Sequence, residues 1–419
     1  AIKHITFQNT LNKDLNVTSR STLSNGLRVI SKNIPAVETI SISLWVPVGA
    51  RYETPQESGL SHMLEHMFFK GTPTRTAQKI AEEVESFGAH FNAYTSREAT
   101  VFTVRALAED LDPLLKVLGD IIKNSTFEDK ELSKEREVVL QEIAMTNDNP
   151  DDLIFDLIQE TAFPNQAMGR PILGSVDNVS GFSQQDLLNF KAKYYDPSRM
   201  ILCVTGKVDA DHFSKLAEEE FSSLPKTENT TPSKAFYKGG NTHTKRDLEQ
   251  VHSILGFEGV PMGSKDYYET ALLGTILGGG MSSRLFQEIR EKQGLVYSVF
   301  AYHSSFIDTG FFGIYASMTP QNYDQVLKTT TIELDRFADT ITEKELNRAR
   351  QQLKSSLMMG LESVTGQCDQ LVHHIRLYDR PLSSEEILEK VNAVTCEKIS
   401  TRASALLISP STRATLGPL

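Results

Sequence analysis

The sequence predicts an α+β protein built of two similar domains, each a mainly antiparallel sheet with helices packed on one face. Three observations predict it. Short stretches of alternating apolar residues are joined by turn residues, as in hairpins. The helical stretches come in groups beside those strands, which argues against a parallel doubly wound sheet. The order of elements also recurs. Lys130-Glu131-Leu132 and Lys344-Glu345-Leu346 open corresponding helices half the chain apart, a step that fits a duplicated domain and is far too long for a solenoid repeat. A chain of 419 residues also exceeds what one hydrophobic core usually serves. The expected division is a first domain over 1–224, an exposed linker over 225–245 and a second domain over 246–419.

In chain order, Asn25-Gly26 between two short apolar runs signals a hairpin turn. Residues 39–46 alternate with period two and read as a half-buried strand. A helix follows over 59–67, and another over 77–87, stopped near Gly88. Strands are expected over 90–95 and 99–106. Helices are expected near 109–123, 129–147, 153–162 and 183–194, then a strand over 200–204. Residues 225–240 are poor in apolar side chains and rich in Lys, Thr, Ser, Pro and Gly, as a linker is. Beyond it come a strand over 251–257, a helix over 268–277, strands over 296–302 and 310–316, and a long helix.

Composition narrows the classes of function. A formal net charge of −11 disfavours nucleic acid as a partner and can attract basic peptides, although such a charge more often serves only solubility. No run approaches the roughly 18 apolar residues of a membrane span. The opening eight residues show neither the apolar core of a secretory signal nor the Arg-rich pattern of a transit peptide. Cys203, Cys368 and Cys396 are odd in number and far apart, so they suggest a reducing compartment rather than a disulfide framework.

The chemistry gathers in Gly59-Leu60-Ser61-His62-Met63-Leu64-Glu65-His66-Met67. On a helix, His62 and His66 leave from one face with neighbouring Cβ atoms roughly 5–6 Å apart, which suits two imidazoles on one zinc ion. Glu65 shares that face and is free to serve as a general base. Leu60, Met63, Leu64, Met67 and Phe68 make the rest of the segment apolar, and two histidines and an acid buried there need something to satisfy them. A catalytic zinc takes a third protein ligand. Glu142 is the best candidate among many acids because it lies in an apolar run, Val138-Val139-Leu140-Gln141-Glu142-Ile143. Glu135, two helical turns earlier, faces the same way and reads as a partner that orients a ligand.

His-x-x-Glu-His at His62–His66, with Glu142 at the matching distance downstream, resembles the pitrilysin–insulysin superfamily of zinc peptidases. Phe91-Asn92-Ala93-Tyr94-Thr95-Ser96-Arg97-Glu98 and Gly169-Arg170-Pro171-Ile172-Leu173-Gly174 carry the likeness further, toward the catalytic subunit of the mitochondrial processing peptidases and their bacterial relatives. The resemblance implies a zinc metalloendopeptidase holding one zinc ion through His62, His66 and Glu142, with Glu65 as base. It implies that Asn92, Ala93, Tyr94 and Thr95 form a substrate-binding edge strand. It implies that Arg290 and Tyr297, from the second half, help the developing oxyanion. On its residues alone, Tyr297 reads as a packed strand aromatic.

Asp152 and Asp156 match acids that read an arginine near the cut, so unfolded, basic, presequence-like peptides are the expected substrates. The resemblance further implies a homodimer or a heterodimer with a related chain, in a bacterial cytoplasm or, after loss of a transit peptide, a mitochondrial matrix. The rival function is a non-catalytic scaffold or partner subunit of the same fold, which a missing ligand would mark. In the second half, Gly274, Leu277, Gly278 and Ser356 fall opposite His62, Glu65, His66 and Glu142, so that half cannot hold the metal.

Overall fold

The computed structural model describes residues 5–7, 18–228 and 230–419. The stretch read above for a leader therefore lies outside the described residues except at 5–7, as does Asn229 in the expected linker. Among the described residues the strands are β1 (Ile5–Phe7), β2 (Thr18–Thr22), β3 (Arg28–Asn33), β4 (Thr39–Val46), β5 (His90–Thr95), β6 (Thr100–Leu107), β7 (Ile201–Gly206), β8 (Gly240–Lys245), β9 (Val251–Glu258), β10 (Val296–Ser305), β11 (Gly310–Met318) and β12 (Thr412–Gly417). The helices are α1 (Leu60–Met67), α2 (Ala77–Ser86), α3 (Leu111–Asn124), α4 (Asp129–Asp148), α5 (Pro150–Ala162), α6 (Val176–Gly181), α7 (Gln184–Tyr194), α8 (Ala210–Phe221), α9 (Tyr267–Gly278), α10 (Tyr323–Thr340), α11 (Glu343–Glu362), α12 (Val364–Tyr378), α13 (Ser384–Asn392) and α14 (Cys396–Ile408). No helix among them is long and apolar enough to cross a membrane.

The first sheet has the order β1-β2-β3-β7-β4-β6-β5 and the second β10-β11-β9-β12-β8. Among the described residues, only β3 and β7 pair in parallel within the first sheet, and only β8 and β12 within the second. The path β3-β7-β4-β6-β5 thus repeats as β8-β12-β9-β11-β10. The helices repeat as well: the step from Asp129 to Glu343 equals the step from Pro150 to Val364. At the turn between β2 and β3, Gly26 has φ +95 and the Asn25 side chain accepts from Leu27 N at 3.2 Å. An added Cβ there would lie 2.8 Å from Ser198 Cβ, so glycine is required.

The chain packs as two compact units, but not by a single cut at the linker. The first unit takes residues up to Ile143, then Pro171–Ser233 and Met359–Pro381; the second takes Ala144–Arg170, Lys234–Met358 and Leu382–Leu419. The two halves exchange one helix each, and the unit boundaries fall within α4 and α11. In the first unit Ile40, Ile42, Leu44 and Val46 pack with Met63, Leu64 and Met67 of α1 in the main core. The opposite face, with Trp45, Val101, Ile201 and Cys203, is covered by Cys368, Leu371, Val372 and Ile375 of α12. In the second unit Leu272, Leu273 and Ile276 of α9 pack on one face. Ile154, Ile158 and Ala162 of α5 cover Ile254, Phe311, Tyr315 and Leu416 on the other.

Each exchanged helix is held by burial. Leu371, Val372 and Ile375 contribute about 1.5–3 kcal/mol apiece on leaving water. Arg376 adds an ion pair to Glu98 at 2.7 Å and stacks 4.9 Å from the Trp45 ring.

This exchange changes three expectations. Helices cover both faces of each sheet rather than one. β4, expected to be half-buried, is buried on both sides from Ile40 to Val46, because α12 covers Ser41, Ser43 and Trp45. The expected linker also contains β8, whose polar Asn-Thr-His-Thr run carries no apolar period and is held by main-chain pairing to β12.

Candidate metal centre

The segment before α1 is shaped by one glycine and one buried acid. Gly59 has φ +98, and a Cβ on it would meet Leu173 O at 2.7 Å. Glu53, 3% exposed, accepts from Gly59 N at 2.9 Å and Ser61 N at 2.7 Å. It satisfies amide donors that a helix start leaves without intrahelical partners. Leu60, Met63, Leu64 and Met67 are buried on one side, which leaves His62, Glu65 and His66 on the other.

α4 brings the third donor. His62 Nε2 lies 3.6 Å and His66 Nε2 3.7 Å from the same Glu142 carboxylate oxygen. Ligating atoms of the three side chains all fall within 4.8 Å of one another. The two imidazole-to-carboxylate separations are too long for hydrogen bonds. Two donors about 2.0–2.1 Å from a tetrahedral zinc ion are themselves about 3.4 Å apart. The residues present therefore fit a zinc ion, and the donor set of two imidazoles and one carboxylate is one that catalytic zinc takes.

The surroundings tune this set. Glu135 accepts from His66 Nδ1 at 3.0 Å and from Lys70 Nζ at 2.7 Å. A proton held on His66 Nδ1 leaves Nε2 as the acceptor on the side of Glu142. Burial pushes the His62 imidazole down to about 4, with His66 adding to the effect, so His62 is neutral at pH 7, as a ligand must be. Burial also works against a charged His66, but Glu135, Glu142 and Glu65 outweigh it and raise its pKa. Glu65 is raised by burial; its Oε2 accepts from Thr95 Oγ1 at 2.5 Å, which partly offsets the shift. A raised carboxylate is a better base.

Among the described residues β5 is the edge strand of the first sheet, paired on one side by β6. Its side chains alternate. Phe91 packs on Phe69 at 5.4 Å and Thr95 bonds Glu65, so Phe91, Ala93 and Thr95 face α1, while His90, Asn92 and Tyr94 are exposed on the other face. Thr95, read in the sequence as part of a substrate strand, is thus also a partner of Glu65. Glu53, Thr95 and Lys70 were not legible as partners of the site. Glu53 acts across a loop, Thr95 sits on β5 and Lys70 lies just past the end of α1, and no local pattern encodes their meeting with Glu65 and Glu135.

The remaining site residues lie in the second unit. Arg290 lies in a π-helical turn, Phe286–Glu291, and its guanidinium stacks 4.8 Å from the Phe286 ring and 5.4 Å from the Tyr297 ring. Tyr297 is not a packed strand aromatic: it is 75% exposed. The register of β10 slips between Val296, opposite Met318, and Ser298, opposite Ser317, so Tyr297 is the extra residue of a β-bulge that turns its ring outward. Asp152 and Asp156 share a face of α5, Asp152 accepting from Asn149 Nδ2 at 2.6 Å. Their neighbour Asp151 accepts from the Tyr315 hydroxyl at 2.7 Å.

Two family models match the chain in succession: insulinase (peptidase family M16) over residues 28–176 and peptidase M16 inactive domain over residues 181–353. In Rickettsia felis, a protein named as an uncharacterized zinc protease is 43% identical over 399 residues, covering 95% of this chain and 97% of its own. In Bacillus subtilis, the uncharacterized zinc protease YmxG is 38% identical over 404 residues, covering 94% and 98%. A solved protease from Helicobacter pylori superposes with a TM-score of 0.90 at 23% identity, over 97% of this chain and all of that one, and so shares its fold. The model named for an inactive domain, over residues 181–353, takes in α9 with Gly274, Leu277 and Gly278, the residues that the duplication sets opposite His62, Glu65 and His66; Ser356 on α11 lies beyond its end.

Proposed function

Since the chain belongs to the insulinase, or M16, family of peptidases, we propose that it is a zinc-dependent endopeptidase that cleaves unfolded peptides lying along the free edge of β5. One observation carries this reading: His62 Nε2, His66 Nε2 and Glu142 converge beside a raised carboxylate, Glu65, which is bonded to that edge strand. His62, His66 and Glu142 would hold the ion. Bound there, zinc supplies Lewis acidity and lowers the pKa of a water to roughly 7.

The other tasks fall to the chain itself. The main chain of Asn92–Thr95 pairs with an extended peptide by hydrogen bonds that tolerate many sequences. Glu65 removes a proton from the attacking water as its oxygen bonds to the scissile carbonyl carbon. It then delivers that proton to the amine nitrogen as the C–N bond breaks. Thr95 fixes the Glu65 carboxylate in place. Tyr297, turned outward by its bulge, donates its hydroxyl to the carbonyl oxygen as charge develops, with Arg290 holding the ring. Asp152 and Asp156 favour arginine near the cut, which makes basic, presequence-like peptides the proposed substrates. A second copy or a related chain completes the working assembly.

Metal analysis of the purified protein joined to a peptide-cleavage assay tests the reading. Zinc near one per chain and hydrolysis of unfolded peptides are expected. Glu65→Gln should keep the zinc and lose turnover, because the amide matches in shape but is a far poorer base. Zinc lost from that variant, or a zinc-loaded parent that cleaves nothing, would refute it.

A further inference from the structure

We propose that Asp369, on the flank of α12, selects basic side chains of a peptide bound at the free edge of β5; this rests on the peptidase reading of the adjoining centre. The argument begins with the two faces of β5. A peptide added to that edge continues the pleat, so its side chains alternate between faces. Those on the side of Thr95 enter the metal centre. Those on the side of Asn92 and Tyr94 pass the other face of the sheet.

That other face is chemically specific. The registers place Ile201, Trp45, Val101 and Tyr94 in one row across β7, β4, β6 and β5. α12 covers the Trp45 end of the row, and Tyr94, at the open end, is 52% exposed. Asp369, His373 and Arg376 share one side of α12, and the charges that act on the Tyr94 hydroxyl are those of Asp369 and Arg376. Arg376 is already committed, paired with Glu98 at 2.7 Å and stacked on Trp45. His373 is held below its usual range by burial and by Arg376, so it is uncharged at neutral pH.

Asp369 remains. Among the described residues it has no hydrogen bond and no ion pair, although partial burial already raises its pKa. An incompletely solvated carboxylate without a partner is destabilising, and a cation brought beside it relieves that cost. The exposed Tyr94 ring offers the surface along which a lysine or arginine stem lies, with its charged end free to reach the acid. The selection has a signature that follows from the pleat. It acts on peptide positions of one parity only, those whose side chains share the face of Tyr94.

The zinc-loaded protein, assayed on an unstructured peptide with one cleavage point and with lysine or alanine placed at each position in turn, tests this. The parent should show a lysine-to-alanine ratio in kcat/KM of about 3–10 at positions of one parity, the scale of a partly exposed ion pair. Asp369→Asn should bring that ratio to about one, and Asp369→Lys should turn it toward glutamate, as reversing one charge of a pair does. Zinc content and melting temperature equal to the parent's separate a lost selector from a lost fold. Should neither variant fold, the parent alone decides: a lysine preference at alternate positions that weakens with salt supports the proposal, and a uniform or absent preference overturns it. A preference unchanged in both folded variants overturns it as well, while leaving the peptidase reading intact. Cleavage of no peptide by the zinc-loaded parent would overturn both.

Discussion

Replacing Glu135 with glutamine tests the metal centre without touching a ligand. The side chain is 10% exposed, and its carboxylate accepts from His66 Nδ1 at 3.0 Å and Lys70 Nζ at 2.7 Å. A glutamine has one oxygen acceptor, so it serves one of the two donors and turns its NH₂ toward the other. Losing a hydrogen bond that involves a charged group costs about 1.5–3 kcal/mol. At about tenfold per 1.4 kcal/mol, the zinc dissociation constant should rise roughly 10–100-fold. That matches the usual effect of losing the partner of a ligating imidazole. Competition against a chromophoric chelator at pH 7 reads the constant directly. Glu142→Gln, measured beside it, should lose more, because it alters a ligand. A Glu135→Gln constant within about twofold of the parent's would break the argument that Glu135 holds the His66 ring for the metal.

Three further outcomes follow from the geometry. Tyr297→Phe should lower kcat by roughly 10²–10³ with zinc and fold intact, the scale for one oxyanion donor; a parental rate would leave the bulged ring with no part in the chemistry. Asp152→Asn with Asp156→Asn should cut the preference for arginine over alanine near the cut by roughly 1–3 kcal/mol in kcat/KM, and an unchanged ratio on matched peptides would exclude the pair as its reader. Glu345 accepts from Arg284 at 2.7 and 2.9 Å and from Thr342 N at 3.0 Å. Burial works against its ionised form, but these hydrogen bonds outweigh that and hold its pKa at about 2, below the ordinary 4.5. The depressed carboxylate stabilises the fold above about pH 4.5 and loses that contribution as pH falls toward 2. Urea midpoints should therefore find Glu345→Gln weaker than the parent at pH 7 and equal to it near pH 2; a gap that persists in acid contradicts the assignment.

Helical periodicity is a local property. It placed His62, Glu65 and His66 on one face of α1 before any contact was known. The turn at Asn25-Gly26 was equally legible, because a positive φ demands glycine. The duplication showed as well, since copies of a domain keep their spacing: α4 and α11 begin half the chain apart and have the same length. β8 was missed because a polar strand held by its main chain leaves no mark on side-chain pattern.

Only the tertiary structure decided which acid of the chain meets the two histidines, since α1 and α4 touch through packing that no spacing encodes. It also decided the partners. Thr95 reaches Glu65 from a strand, Glu53 closes the start of α1 across a loop, and the bulge at Tyr297 turns outward a ring that the sequence would have packed. The exchange of α5 and α12 is of the same kind. An apolar stripe states that a helix must be buried, and the stripes Ile154-Ile158-Ala162 and Leu371-Val372-Ile375 are chemically alike. Hydrophobic burial is non-directional, so the sequence determined that each helix covers a sheet. Which sheet was decided by the shape and register of the strands beneath.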